Sequence, residues 1–455
     1  MVSATGSEIN HSGHVPLDVE NYPVAPSMLR LEQVHMFIRH GERTPVSVRM
    51  SEAPANIPSA WLLCKEGRKF EAAVANLTGS STLRVERVVE KEDGSFESGE
   101  CLLGELTDVG RKSTYNFGAA LRSLYIEKLN FLPDVVQSDS EVYFRSTNLP
   151  RTVESLQQIV HGLYPPSKQA EAFVSKIRTR NPKDENLFGN AAACERLKTL
   201  MLKFAQAATI AWNPTLEPLD GKISKYIGGN PVRLDGKPRA SGILDTVRAA
   251  RAHGIRIPAA FHDKAIMDPL VSCIEQSLPH VLIVLQEKAV VEEWFSGYKT
   301  EEVRKLAMGR LLAETSRKMN QRVTEDGRNP LKILIHSTHD TAIAGLLGTL
   351  EVFDDRWPDF TAAVTFELFK ETLDSKPAGS SLMRFLSSFT ALMFKRSTVD
   401  VRARYQNRTL VLPLCQKVRD HLGGHPEFCT LEAFSRRVKE LTPNWEVECV
   451  VPGHR

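Results

Sequence analysis

The 455-residue chain has few cysteines, seven in all, and none of them forms a Cys-x-x-Cys pair. This scarcity argues against a structural zinc site and against a disulfide framework, although Cys415 and Cys429 could form one bridge late in the chain. The sequence also lacks an apolar run near the ~20 residues that a membrane-spanning helix needs. Its net charge of +3 is spread along the chain, so no nucleic-acid-binding patch is predicted.

Residues 1–24 lack both an apolar core and an arginine-rich amphipathic pattern. They are therefore predicted to be neither a secretory signal nor a mitochondrial presequence. We expect an intracellular, cytoplasmic protein, although a chain trimmed of its leader would look the same. Hydrophobic residues make up 42% and charged residues 25% of the sequence, which is typical of a soluble globular protein.

Three predicted strands each end in polar residues and then turn into a helix. The strands cover 31–38, 141–145 and 332–336, and the clusters after them contain Arg39-His40, Ser146-Thr147 and His339-Asp340. The carboxyl ends of parallel strands share one edge of a sheet, where ligands bind, so these clusters can meet in space. The predicted fold class is α/β, with a mostly parallel sheet flanked by helices.

The helix-like stretches between these strands define the expected domains. Residues 165–305 contain several of them, separated by loops rich in proline and glycine, and are predicted to form an inserted helical cap domain. Residues 27–164 and 306–450 would then make up the α/β catalytic core. Residues 1–26 are expected to be a polar N-terminal extension.

The segment 39–45, Arg-His-Gly-Glu-Arg-Thr-Pro, places one imidazole between two guanidiniums. Arg39, Arg43 and Arg145 each lie at or just past a strand end, so together they could enclose one phosphate with planar, permanently charged donors. Such a cradle stabilises the charge that develops during phosphoryl transfer. It would also keep His40 neutral, and a neutral imidazole can attack phosphorus to form a phosphohistidine.

The leaving group of such a reaction needs a proton, and Asp340 is the candidate donor. A nearby phosphate dianion would raise the pKa of its carboxyl group enough to keep it protonated in mildly acidic water. His339 would add a hydrogen bond to the phosphoryl oxygens. These residues predict a metal-independent phosphomonoesterase that needs no cofactor and acts on a small phosphomonoester.

Other roles are open for several of these residues. The spacing of the histidines and the aspartate in 336–340 also suits metal ligands, but no third cluster of carboxylates or histidines accompanies them, and His336 alone is more often a core histidine. Ser146 and Thr147 could donate to phosphate or cap the following helix, which is the commoner role. Arg151 is expected to be structural. A non-catalytic phosphate- or lipid-binding protein is the alternative outside the enzymes.

Four segments carry a resemblance to a known family. They are MFIRHGERTPV (36–46), GELTDVGRKSTYNFGAALRSLY (104–125), EVYFRSTNLPRTVESLQQIVHGLYP (141–165) and HSTHDTAIAGLLGTL (336–350). In these the chain resembles branch 2 of the histidine phosphatase superfamily, the histidine acid phosphatases. RSTN at 145–148, FDDRWPDF at 353–360 and FCTLEAF at 428–434 are most similar to the lysophosphatidic acid phosphatase type.

The resemblance implies a phosphoglycerate mutase-like fold and catalysis without a cofactor. It implies His40 as nucleophile, Asp340 as proton donor, and Arg39, Arg43, Arg145 and His339 as phosphate ligands. Lysophosphatidate or a similar molecule is the expected substrate. An inositol-phosphate or phytate phosphatase is the alternative within the same family.

A stretch from about 373 to 398 departs from the family pattern. Within it, residues 381–396 place apolar side chains at helical spacing and end in a Lys-Arg pair. The commoner role of such a helix is to pack on the body of the protein. The alternative is an interfacial helix that makes a peripheral membrane contact.

Overall fold

The computed structural model describes residues 17–72, 83–171, 173–261, 281–325, 328–372 and 399–450. Its strands are β1 (Leu29–Arg39), β2 (Lys69–Ala72), β3 (Leu83–Glu86), β4 (Val142–Ser146), β5 (Ile177–Arg178), β6 (Ile333–Thr338), β7 (Ala363–Glu371), β8 (Val399–Tyr405), β9 (Arg408–Leu410), β10 (His421–Leu422) and β11 (His425–Thr430). Nine of them form one sheet in the order β10-β11-β8-β7-β1-β6-β4-β5, with β9 paired to β8, while β2 and β3 form a separate pair.

Ten α-helices occur in the described ranges, and those that pack on the sheet cover both of its faces. They are α1 (Asp108–Arg122), α2 (Pro150–Leu163), α3 (Glu195–Leu216), α4 (Asp220–Ile223), α5 (Ala240–Ala252), α6 (Val281–Phe295), α7 (Glu301–Thr324), α8 (Asp340–Thr349), α9 (Leu431–Glu440) and α10 (Trp445–Glu448). At the start of α1, the Thr107 side chain caps the helix by accepting a hydrogen bond from the Gly110 backbone amide. After Arg122 the chain continues as a π-helical stretch, Ser123–Lys128.

The three predicted site strands are neighbours in the sheet. Strand β6 pairs in parallel with both β1 and β4, so that Arg39 lies opposite Thr338 and Arg145 opposite His336. Strands β7 and β8 pair antiparallel. The sheet is therefore mixed, and the predicted α/β class with flanking helices is confirmed, with the parallel strands carrying the polar clusters.

Side chains of β1 alternate between two cores. Val34, Met36 and Ile38 pack with α1 and α2 on one face, whereas Phe37 packs with α7 and α8 on the other. On the first face α1 and α2 touch through glycine, since a Cβ on Gly118 would lie 2.2 Å from the Ile159 carbonyl oxygen. This close contact holds both helices, and the loops before them, at the edge where the site strands end.

The stretch predicted as a cap, 165–305, contains α3 to α6 and also β5, which pairs with β4 at the edge of the main sheet. The division into a core and a cap domain stays a prediction. Within the expected N-terminal extension Tyr22 is buried and donates a 2.8 Å hydrogen bond to Glu367 of β7. No helix in the described ranges is long and apolar enough to cross a membrane.

Six cysteines form three disulfide bonds: Cys64–Cys101, Cys194–Cys449 and Cys415–Cys429. The Cys415–Cys429 prediction is confirmed, but the prediction against a disulfide framework is wrong. The seventh cysteine, at 273, and the predicted helix over 381–396 lie outside the described residues. Sequence spacing gave no signal, because the Cys194–Cys449 pair joins positions 255 residues apart.

Candidate active site

The backbone brings the polar clusters together at the carboxyl end of the parallel strands. The His40 amide donates to the Thr338 carbonyl (3.0 Å), and the Thr147 amide donates to the Ser337 carbonyl (3.3 Å). Helix α8 begins two residues after β6, with His339 as its N-cap and Asp340 as its first residue. The first positions of α8 therefore lie beside the end of β1.

His40 is buried, with 2% of its surface exposed. Its Nδ1 atom lies 2.9 Å from the Gly41 carbonyl oxygen. A carbonyl only accepts, so Nδ1 carries the proton and Nε2 holds the free lone pair. Burial, followed by the charges of Arg39 and Arg43, holds the pKa of the imidazole well below its usual range. His40 is therefore a neutral imidazole with Nε2 available for attack.

Gly41 is required where the chain bends after His40. A Cβ at this position would lie 2.5 Å from the Gly110 carbonyl oxygen, and a Cβ on Gly110 would lie 2.2 Å from the Glu42 carbonyl oxygen. The Gly41 amide also donates to the Ser155 hydroxyl at 3.0 Å. These contacts fix the bend against α1 and α2, and thereby the direction of the imidazole.

Arg39 lies beside His40 and is anchored on two sides. Its Nη1 donates to the Pro358 carbonyl at 2.6 Å, its Nη2 forms a 2.8 Å ion pair with Asp340, and its guanidinium stacks 4.2 Å from the centre of the Phe360 ring. Burial lowers the pKa of Arg39 to about 10, so it stays charged near neutral pH. Its buried Nε atom has no partner in the described part of the chain.

Arg43 and Arg151 supply the other two positive charges that act on His40. Arg43 donates to the Thr44 carbonyl and forms a 2.9 Å ion pair with Asp245 of α5. Arg151, in the first turn of α2, has its pKa lowered by burial and then by the charge of Arg43. Among the described residues neither buried Nε atom has a hydrogen-bond partner.

Arg145 is not placed with these arginines, which corrects the expected geometry. It is 1% exposed, lies opposite His336, and pairs with Glu185 at 2.5 Å and with Glu314 of α7 at 3.5 Å. The charges that act on it come from Glu185, Arg180 and Glu314. Arg151, expected to be structural, occupies the position that the sequence analysis gave to Arg145.

His339 lies across from His40, with 5.7 Å between the ring centres. Its Nε2 atom is 3.0 Å from the Thr147 hydroxyl, and Ser146 donates to the Thr147 carbonyl. Thr147 therefore supports His339 and does not cap α2, whose N-cap is Leu149. Burial, followed by the charge of Arg151, lowers the pKa of His339 to about 4.

Asp340 is held by three donors. Its Oδ1 accepts from the Thr341 amide (2.9 Å), and its Oδ2 accepts from Arg39 (2.8 Å) and from the Trp357 indole (3.1 Å). Burial raises the pKa of this carboxyl group, but the charges of Arg39 and Arg43 outweigh burial and hold it below its usual value. With no phosphate nearby, Asp340 is a carboxylate, so a proton donor at this position requires the substrate to raise its pKa.

The segment 357–360, Trp-Pro-Asp-Phe, builds one wall of the site, and the sequence analysis gave its residues no role there. Trp357 contacts Asp340, Pro358 accepts from Arg39, and Phe360 lies 5.9 Å from the His40 ring. Asp359 and the Trp357 carbonyl both accept from Arg248 of α5. Two signals were available, the family resemblance of FDDRWPDF (353–360) and the position of this segment after α8.

No group of three or more histidine, cysteine, aspartate or glutamate side chains that could hold a metal ion occurs among the described residues. His336 is buried and stacks on Phe37, with ring centres 4.6 Å apart. Its Nδ1 lies 3.2 Å from the Met36 carbonyl. It is therefore a core histidine, as the commoner interpretation expected.

Comparison with known families agrees with this arrangement. Residues 30–388 match the model of the histidine phosphatase superfamily, branch 2. The chain belongs to this family. The predicted histidine acid phosphatase class is thereby confirmed.

Individual relatives span most of the chain. A probable acid phosphatase of Schizosaccharomyces pombe is 34% identical over 452 residues, covering 92% of this chain and 93% of its own length. Mouse lysophosphatidic acid phosphatase type 6 is 26% identical over 354 residues, covering 76% of this chain and 77% of its own. Among solved structures, Hafnia alvei phytase is similar with a TM-score of 0.56 at 16% identity, covering 94% of this chain and 100% of that one, which shows the fold alone.

Proposed function

We propose that this protein hydrolyses phosphomonoesters by transferring the phosphoryl group to His40. The observation that carries the proposal is the neutral imidazole, whose Nδ1 proton is held by the Gly41 carbonyl and whose Nε2 shares the pocket with buried arginines. A nucleophile needs this lone pair, and the arginines stabilise the phosphoryl oxygens in the transition state. We assign the phosphate ligands as Arg39, Arg43, Arg151 and His339, with Arg151 in place of Arg145.

In the first step Nε2 of His40 forms a bond to phosphorus and the bond from phosphorus to the ester oxygen breaks. The leaving oxygen takes a proton from Asp340. In the second step water attacks the phosphohistidine, passes a proton to the Asp340 carboxylate, and releases phosphate and free His40. Without substrate the Asp340 carboxyl group is ionised and cannot donate a proton. The two negative charges of a bound phosphate dianion raise its pKa, so that it is protonated when the leaving group needs the proton.

We propose a lysophosphatidate-like substrate. Exposed apolar side chains support an apolar tail: Val46 and Val48 follow Arg43 in the chain, and Leu103 is exposed as well. Val48 and Leu103 line the same cleft, together with Arg49 and Trp61. A relative named for lysophosphatidic acid adds support. The similarity to phytase structures concerns the fold and does not by itself favour inositol phosphates.

The test is phosphate release from p-nitrophenyl phosphate and lysophosphatidate, side by side across pH 4–8 with EDTA present. We expect turnover by the wild type, a loss of at least about a thousandfold in Asp340→Asn, and no measurable turnover in His40→Ala. His336→Gln, a change in the neighbouring core histidine, is the control and should keep activity wherever it folds. Wild-type turnover by a folded His40→Ala protein would refute the mechanism.

Two further expectations belong to this proposal. A peripheral membrane contact through 381–396 stays a prediction, because those residues lie outside the described ranges, and unchanged liposome binding after deletion of 378–396 would exclude it. The intracellular location also stays a prediction. The three disulfide bonds weigh against it, since disulfides persist mainly in oxidising compartments, and we therefore favour such a compartment.

A further inference from the structure

Asp245 lies at the edge of the pocket and has no role in the reaction as described above. It belongs to α5, and 17% of its side chain is exposed. One carboxylate oxygen pairs with Arg43 Nη2 at 2.9 Å, and the other accepts from the Val46 amide at 3.1 Å. Its charge also acts on Arg151. A fixed negative charge therefore contacts one of the proposed phosphate ligands, Arg43, and acts electrostatically on a second, Arg151.

A third arginine meets the same carboxylate from the outer side. Arg49 Nη1 lies 3.9 Å from the outer oxygen of Asp245. The guanidinium of Arg49 crosses α5 at Gly242, where a Cβ would lie 2.6 Å from Nε. Gly242 and Asp245 are three residues apart and so share a face of α5. The helix thus presents one carboxylate to Arg43, Arg49 and Arg151 together.

This carboxylate limits how much negative charge the pocket can accept. Arg39, Arg43, Arg49 and Arg151 are opposed by Asp340 and Asp245, which leaves two positive charges among these six groups. One phosphate dianion carries about the same charge with opposite sign. Further phosphates that approach Asp245 would meet a like charge, which Arg49 offsets only in part from 3.9 Å. Like-charge contacts of this kind are an effective way to reject a wrong ligand.

We propose that Asp245 is a specificity-determining residue, which makes the pocket accept substrates with one phosphate and reject those with several. This inference rests on the proposed function and deepens it, because it names the charge class of the substrate. The Asp245 carboxylate acts in two ways. It accepts from one N–H donor of Arg43, and it repels any phosphate beyond the one that reacts.

The test is Asp245→Asn, assayed with p-nitrophenyl phosphate and with inositol hexakisphosphate. Asparagine keeps an oxygen that can accept from Arg43 or Val46 and removes only the charge. We expect the ratio of kcat/KM for inositol hexakisphosphate to kcat/KM for p-nitrophenyl phosphate to rise by at least about tenfold. An unchanged ratio, or an equal fall with both substrates, would overturn the proposal and leave Asp245 with a role in positioning Arg43 alone.

Asp220→Asn is the matched control. Asp220 also pairs with an arginine, Arg233, at 3.0 Å and also accepts from a backbone amide, that of Val232, at 2.7 Å, but it lies in α4, outside the set of groups described for the pocket. The ratio should not move in this variant. A rise equal to that of Asp245→Asn would show a general charge effect and would defeat the assignment.

Arg49→Gln supplies the opposite change, because it removes a positive charge next to Asp245. The same ratio should fall by at least about threefold, and a rise would contradict the proposal. Calorimetric binding of inorganic phosphate and inositol hexakisphosphate to the wild type and Asp245→Asn gives a readout without turnover. The two proposals can thus be separated. Absence of turnover by the wild type would refute the proposed function, whereas a tenfold rise in affinity for inositol hexakisphosphate relative to phosphate in Asp245→Asn would still support the role of Asp245.

Discussion

Two buried groups of arginines lie near the ends of the parallel strands, and their charge balance differs. Around Arg145, the positive charges of Arg145, Arg180 and Lys318 meet the carboxylates of Glu185 and Glu314, which leaves one positive charge. In the pocket, four arginines (39, 43, 49 and 151) meet Asp340 and Asp245, which leaves two. Unpaired N–H groups do not distinguish them, since Arg145 Nε is also without a partner in the described ranges. The larger excess of positive charge in the pocket can be balanced by an anionic substrate.

The largest expected effect comes from Arg151→Ala. This change removes one guanidinium from the transition state and should lower kcat/KM for p-nitrophenyl phosphate about a thousandfold, or about 4 kcal/mol. Stability should change little, because Arg151 has an unpaired Nε and loses solvation on burial. Arg151→Lys should recover less than about tenfold, because lysine lacks the planar fork. Near-wild-type activity in the alanine variant would remove Arg151 from the site.

The second prediction concerns Arg145→Ala, which should act on stability instead. Removing one partner leaves the buried Glu185 carboxylate uncompensated, at a cost of about 3–5 kcal/mol in the free energy of unfolding. Urea denaturation measures this, and the folded fraction should keep kcat/KM within about threefold of the wild type. Arg180→Ala, in the same cluster but more exposed, should cost only about 1 kcal/mol. A stable Arg145→Ala protein with a thousandfold loss of activity would reverse the two assignments.

Arg145 and Arg151 also illustrate which features could be predicted from the sequence and which could not. The strands and the meeting of their polar ends follow from hydrophobic pattern and sheet geometry, and the structure brings Arg39 and His40 beside the start of α8. The prediction that each strand turns directly into a helix is right for β4 and β6 but wrong for β1, because α1 begins only at Asp108. Arg145 and Arg151 lie six residues apart in one segment. Which of them enters the pocket depends on the face of β4 and on packing against α7, and neither is encoded in local spacing.

Hydrophobic pattern and strand geometry could not predict contacts between residues that lie far apart in the chain. Asp245 reaches Arg43 from α5, about two hundred residues later in the chain, and a solvent-exposed aspartate on a helix is the ordinary expectation from sequence. The disulfide partners were missed for the same reason, since Cys194 and Cys449 meet only after α3 and α10 pack together. Long-range pairs of this kind depend on how helices pack on one another, which one sequence does not specify.

The smallest predicted effect tests how the pocket sets the proton affinity of Asp340. The Trp357 indole donates to the carboxylate and thereby lowers the pKa of Asp340. Trp357→Phe keeps an aromatic ring beside Phe295 and removes the donor, so the pKa should rise. Asp340 must be protonated when it donates to the leaving group, so the alkaline limb of the kcat profile should move to higher pH by less than about one unit. If the carboxylate were the form needed in the rate-limiting step, the acid limb would move to higher pH and the alkaline limb would stay in place, which would contradict the role of Asp340 as proton donor.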